Sequence, residues 1–142
     1  MNFFKSFWKT ITCGIVVLIL SLITGDTVKE IGEINIPHFD KFVHFGMYFT
    51  FTFLMINDLI RSYGSTYSVR QIMIFCVLIA VIYGGSMELL QGIPKLHRSK
   101  DFYDFLANSI GAFTASILYK QLIQMLNWFM SLFIKQGKSY SL

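Results

Sequence analysis

The chain has 142 residues, of which 54% are hydrophobic and only 14% charged, with 15 Phe, two Pro and a net charge of +4. Soluble domains carry about 25% charged residues, so this composition, with a mean hydropathy of +0.57, excludes an ordinary soluble enzyme. It points to an integral membrane protein of the all-α class.

A helix needs roughly 20 apolar residues to cross the hydrocarbon core of a bilayer. Four segments qualify, at about 7–24, 41–60, 71–91 and 102–122. They leave only short connections, so the expectation is one transmembrane domain over residues 1–142, a four-helix bundle with no soluble catalytic unit and no internal repeat.

The first segment, "ITCGIVVLILSLITG", follows the basic stretch "MNFFKSFWK" as the core of a signal peptide does. No small-x-small cleavage site follows it, which makes it a retained anchor. Cys13 and Cys76 both lie within apolar segments and read as small hydrophobes with no bridge required. Residues 25–38, "GDTVKEIGEINIPH", form a loop whose Val28, Ile31, Ile34 and Ile36 can dip into the membrane surface as a lid. Pro37 is a start signal for the second helix.

The second segment opens with "PHFDKFVHFGMY", in which Asp40, His44 and Tyr48 follow i, i+4, i+8 and share a helix face. On the third, Gly84, Glu88 and Gln91 follow i, i+4, i+7; on the fourth, Asp101, Asp104, Asn108 and Gly111 follow i, i+3, i+7, i+10. The tail "QLIQMLNWFMSLFIK" spaces Gln121, Gln124, Asn127, Ser131 and Lys135 three or four apart. It reads as an amphipathic C-terminal helix on the inner leaflet with Trp128 at the interface, the alternative being a fourth span that simply continues.

Cytoplasmic connections are enriched in Lys and Arg. One side of the predicted topology holds Lys5, Lys9, Arg61, Arg70, Lys120, Lys135 and Lys138; the other holds Lys29, Lys41, Lys95, Arg98 and Lys100 with every acid except Asp58. Both termini are therefore expected in the cytoplasm. The positive charge is a topology signal directed at anionic lipid, and nucleic acid is not an expected partner.

The three polar stripes then meet at the outer end of the bundle. At a rise of about 1.5 Å per residue, His44 lies about 6 Å below Asp40 and Asn108 about 6 Å below Asp104, so the stripes match in depth. An ionisable group facing lipid at mid-helix costs roughly 2.5–3.5 kcal/mol on insertion scales, so these groups should turn toward one another.

Three ordered blocks, "DKFVHFGMY" (Asp40 to Tyr48), "SMELLQ" (Ser86 to Gln91) and "RSKDFYDFLANSIG" (Arg98 to Gly111), resemble the signatures of VanZ-like membrane proteins, Asp-Lys-x-x-His, Glu-x-x-Gln and Arg…Asp-x-x-Asp-x-x-x-Asn-x-x-Gly. The resemblance covers about residues 35–118. It implies a small polytopic protein of the bacterial cell membrane, in a family whose founding member lowers susceptibility to teicoplanin, a lipoglycopeptide that binds the exposed cell-wall precursor.

The residues leave three readings open. In the first, Asp40, Lys41, His44, Glu88, Gln91, Arg98, Asp101, Asp104 and Asn108 line a pocket that recognises a lipid-linked, phosphate-bearing envelope molecule, with Arg98, Lys41 and Lys100 at the rim as phosphate binders and membrane lipids as partners. In the second, His44 and Glu88 act as acid and base of a membrane enzyme. No nucleophile accompanies them, because Ser86 lies on another face from Glu88, so the non-enzymatic reading is preferred. A metal is a sub-case with His44, Glu88 and Asp104 as conceivable ligands, but His38 and His44 show no zinc spacing, and neither metal nor cofactor is expected. In the third, the cluster is structural, with hydrogen bonds and close contacts at Gly84, Gly85 and Gly111 holding helices together or docking a partner.

Overall fold

The computed structural model describes residues 3–23, 39–92 and 101–137. These form four α-helices: α1 (Phe3–Ile23), α2 (Phe39–Tyr63), α3 (Val69–Gln91) and α4 (Phe102–Gly137). Three of them, α1 over Phe3–Leu22 together with α2 and α3, are long and apolar enough to cross a membrane. The lid proposed for residues 25–38, and His38, Lys95, His97, Arg98 and Lys100, lie outside the described residues.

The tail is not a separate amphipathic helix. It continues α4 without a break to Gly137, giving one helix of 36 residues. No proline interrupts residues 102–137, so nothing removes a donor from the i→i−4 ladder, and the helix runs for about 54 Å.

Local chemistry sets the other ends. Ser68 caps α3 in a reciprocal box: its hydroxyl accepts from the Gln71 N–H at 3.3 Å while its own N–H donates to Gln71 Oε1 at 2.9 Å. Gly92 closes the same helix by donating to the Glu88 carbonyl at 3.3 Å. At the start of α4, Asp101 Oδ1 accepts from the Tyr103 N–H at 2.8 Å, and the Asp101 carbonyl accepts from the Asp104 N–H at 3.1 Å, so Asp101 supplies the helix's first oxygens.

α2 is the centre of the assembly and packs most extensively on α4, with α1 and α3 also against it. The approach of α2 and α4 depends on Gly111, where any Cβ would collide with the Phe45 carbonyl. Between the helices lies a core of Val17, Tyr48, Phe51, Met55, Ile56, Ile72, Cys76, Ala80, Ala112 and Tyr119. Cys13 and Cys76 are free thiols. The outward surfaces are also apolar: Ile82 is 67% exposed and Ile117 70%, a pattern that in water would be a liability and in lipid is the expected solvent-facing side.

Candidate functional site

The start of α2, the end of α3 and the start of α4 come together at one end of the molecule. There the Lys41 ammonium donates to Asp40 Oδ2, Asp101 Oδ2 and Asp104 Oδ1, each at 2.8 Å. An ammonium has three N–H donors, and here each has a carboxylate. Lys41 and the Tyr103 N–H hold the Asp101 carboxyl below the usual carboxylate range.

One turn along α2 from Lys41, His44 is buried, 3% exposed. Its Nδ1 lies 3.1 Å from Asn108 Oδ1. An amide oxygen only accepts, so Nδ1 carries the proton and donates. That turns Nε2 toward Asp104 Oδ2 at 3.6 Å, beyond ordinary hydrogen-bond length. Glu88 reaches the same place from α3: His44, Glu88 and Asp104, all buried, each offer a ligand atom within 4.8 Å of the other two. Asp40, Asp101 and Asp104 form a second such group nearer the surface.

Among the described residues, three polar atoms at this end of the bundle have no hydrogen-bond partner: the Tyr48 hydroxyl, Asn108 Nδ2 and Gln91 Oε1, all in residues no more than 1% exposed. A Cβ at Gly84 would sit 3.2 Å from Tyr48 and 3.4 Å from Asn108 Nδ2, so the glycine one turn before Glu88 makes room for both. A cleft of about 310 Å³ lined by Gly85, Glu88, Asp101, Phe102 and Phe105 opens onto Glu88 from outside.

Of the residues singled out in the sequence, Asp40, Lys41, His44, Glu88, Asp101, Asp104 and Asn108 gather here. Gln91 turns its amide to α1, donating to the Ser21 carbonyl at 2.8 Å. Arg98 falls outside the described residues. Among the described residues the one ammonium at this end meets three carboxyl groups, Asp40, Asp101 and Asp104, while Glu88 lies with His44 and Asp104.

No family model, curated protein or solved structure matches this chain.

The opposite end holds a polar contact that the sequence pattern did not signal. Asp58, 4% exposed, accepts from the Thr10 hydroxyl at 2.7 Å. Beside it a cleft of about 340 Å³ is bordered by Lys5, Lys9 and Arg61. The only sequence cue was that Asp58 is the one acid on the basic side of the predicted topology. Tyr83 adds a further tie between helices, donating to the Gly14 carbonyl at 2.9 Å.

Proposed function

We propose that this protein is a membrane-embedded four-helix bundle of the VanZ-like type, with both termini in the cytoplasm of a bacterial cell, and that the His44 end recognises the headgroup of a lipid-linked envelope molecule from the outer leaflet. The observation that carries the reading is the buried set His44, Glu88, Asp104 and Asn108 at the end of helices whose outward faces are apolar. Such groups are expensive in a membrane and mark sites of ligand or ion handling. The cleft beside Glu88 gives a headgroup a way in, and carboxylates and amides are suited to hydroxyl and amine groups. Arg98, by its place in the sequence at the rim, is the residue assigned to a phosphate. Altered glycopeptide susceptibility would follow if the recognised molecule is the wall precursor.

A second reading has its own support. His44 is oriented by Asn108 on one nitrogen and Asp104 near the other, which is how a general acid or base is held.

The test is native mass spectrometry of the detergent-purified protein beside Arg98→Ala and Glu88→Gln, recorded with melting temperature. A phosphate-bearing lipid on the wild type, lost in Arg98→Ala at unchanged stability, is the expected result. A wild type that retains no such lipid, with both variants melting early, would reduce the cluster to a packing network. Turnover of an added lipid-linked substrate that ceases in Glu88→Gln would favour the enzyme.

A further inference from the structure

From the geometry we infer that His44, Glu88 and Asp104 form a binding site for a divalent transition-metal ion, with Zn²⁺ the best match to the donors. Imidazole nitrogen and carboxylate oxygen are both ligands that such ions take. The charges also balance, since two carboxylates and a neutral imidazole offset a dication.

The spacing supports the same conclusion. Zinc bonds to nitrogen and oxygen are about 2.1 Å, so two ligands of a tetrahedral ion sit about 3.4 Å apart. His44 Nε2 and Asp104 Oδ2 are 3.6 Å apart, too far for a good hydrogen bond and close to that edge. All three ligand atoms fall within 4.8 Å, so small side-chain movements bring them onto one ion. Each ligand comes from a different helix, and binding would join α2, α3 and α4.

Two further features are those a metal site needs. Metal-bound histidines usually donate their other ring N–H to an oxygen, which fixes the nitrogen that faces the ion; Asn108 Oδ1 does this for Nδ1 at 3.1 Å. Independently, the buried Tyr48 hydroxyl and Asn108 Nδ2 have no hydrogen-bond partner among the described residues. Buried polar atoms are nearly always satisfied, and water carried on an ion would donate to an acceptor such as the Tyr48 hydroxyl oxygen.

The ion also removes an electrostatic difficulty in the headgroup reading, on which this last step rests. Among the described residues the one ammonium at this end has its three donors on carboxylates, which leaves none for a phosphate, whereas a dication held by three protein ligands keeps a position open for a phosphate oxygen. The cleft at Glu88 is the route to that position.

The experiment is Co²⁺ titration, followed by visible absorption, of full-length protein in detergent after chelator treatment and removal of any affinity tag. His44→Ala, Glu88→Gln and Asp40→Asn are titrated in parallel, with circular dichroism to check helix content. One ion per wild-type chain is expected, displaced by Zn²⁺, lost in His44→Ala and Glu88→Gln and kept in Asp40→Asn. The wild type should also melt at higher temperature with Zn²⁺ than without. Absence of a cobalt spectrum on the wild type, a spectrum that His44→Ala retains, or a thiolate charge-transfer band pointing to cysteine ligands would each overturn the site. The two readings fail separately: metal bound with no phosphate lipid in the native mass spectrum removes headgroup recognition and leaves the metal site, while a retained lipid with no cobalt spectrum does the reverse.

Discussion

Lys41 Nζ and Asp104 Oδ1 lie 2.8 Å apart although 63 residues separate them in the chain. This ion pair ties the first turn of α2 to the first turn of α4. Asp104 has a side chain only 6% exposed, against 21% for Lys41, so the pair is held away from water on the acid's side.

Lys41→Met should therefore be strongly destabilising. It leaves Asp104 buried without its ammonium, and removing one partner of a buried pair costs about 3 kcal/mol or more. Unfolding in a denaturing-detergent titration measures the loss. Adding Asp104→Asn to Lys41→Met should recover part of it, since the stranded charge is then gone.

Acid should weaken the same end of the molecule. Asp101 is held below its usual range by Lys41 and the Tyr103 N–H, so its stabilisation is fully present above the unfolded carboxyl value and is lost as pH falls through the folded one. The melting temperature should decline below about pH 4. Asp101→Asn keeps the helix cap but not the charge, and its decline over the same range should be shallower. With a side chain 36% exposed, the contribution is screened and modest.

Gly111 and Gly46 make a matched pair. Gly111→Ala drives a methyl group into the Phe45 carbonyl, and separating α2 from α4 to accommodate it should cost about 1–3 kcal/mol. Gly46, on the same α2, has nothing within 4 Å of its Cβ position. Gly46→Ala should be neutral or stabilise by roughly 0.5–1 kcal/mol through helix propensity. Equal losses in the two variants would contradict the close crossing.

Tyr48→Phe distinguishes a ligand role from a packing role. The hydroxyl is fully buried without a partner among the described residues, so its removal should leave stability within about 0.5 kcal/mol of wild type or raise it. If the hydroxyl serves a bound ion's water or a headgroup, ligand retention should fall at the same time. Unchanged retention would confine Tyr48 to the core.

The helices were legible because their signal is local. Long apolar runs and the i, i+4 stripes on three segments are properties of neighbouring residues, and they set which faces carry His44, Glu88, Asp104 and Asn108. Spacing along a helix gives a face and a depth, but not the neighbour that face meets. That Lys41, read as a rim cation for phosphate, gives its three donors to Asp40, Asp101 and Asp104 depends on how α2 and α4 are rotated and how closely Gly111 lets them approach. The same is true of Gln91 turning to Ser21, and of Asp58 reaching Thr10, 48 residues away. The length of α4 lay between these cases, since its polar spacing suits a surface helix as well as a continued one. The sequence by itself determined the elements and their polar faces; tertiary packing decided which charges meet, because an ion pair or a metal site depends on distances between helices that no single helix contains.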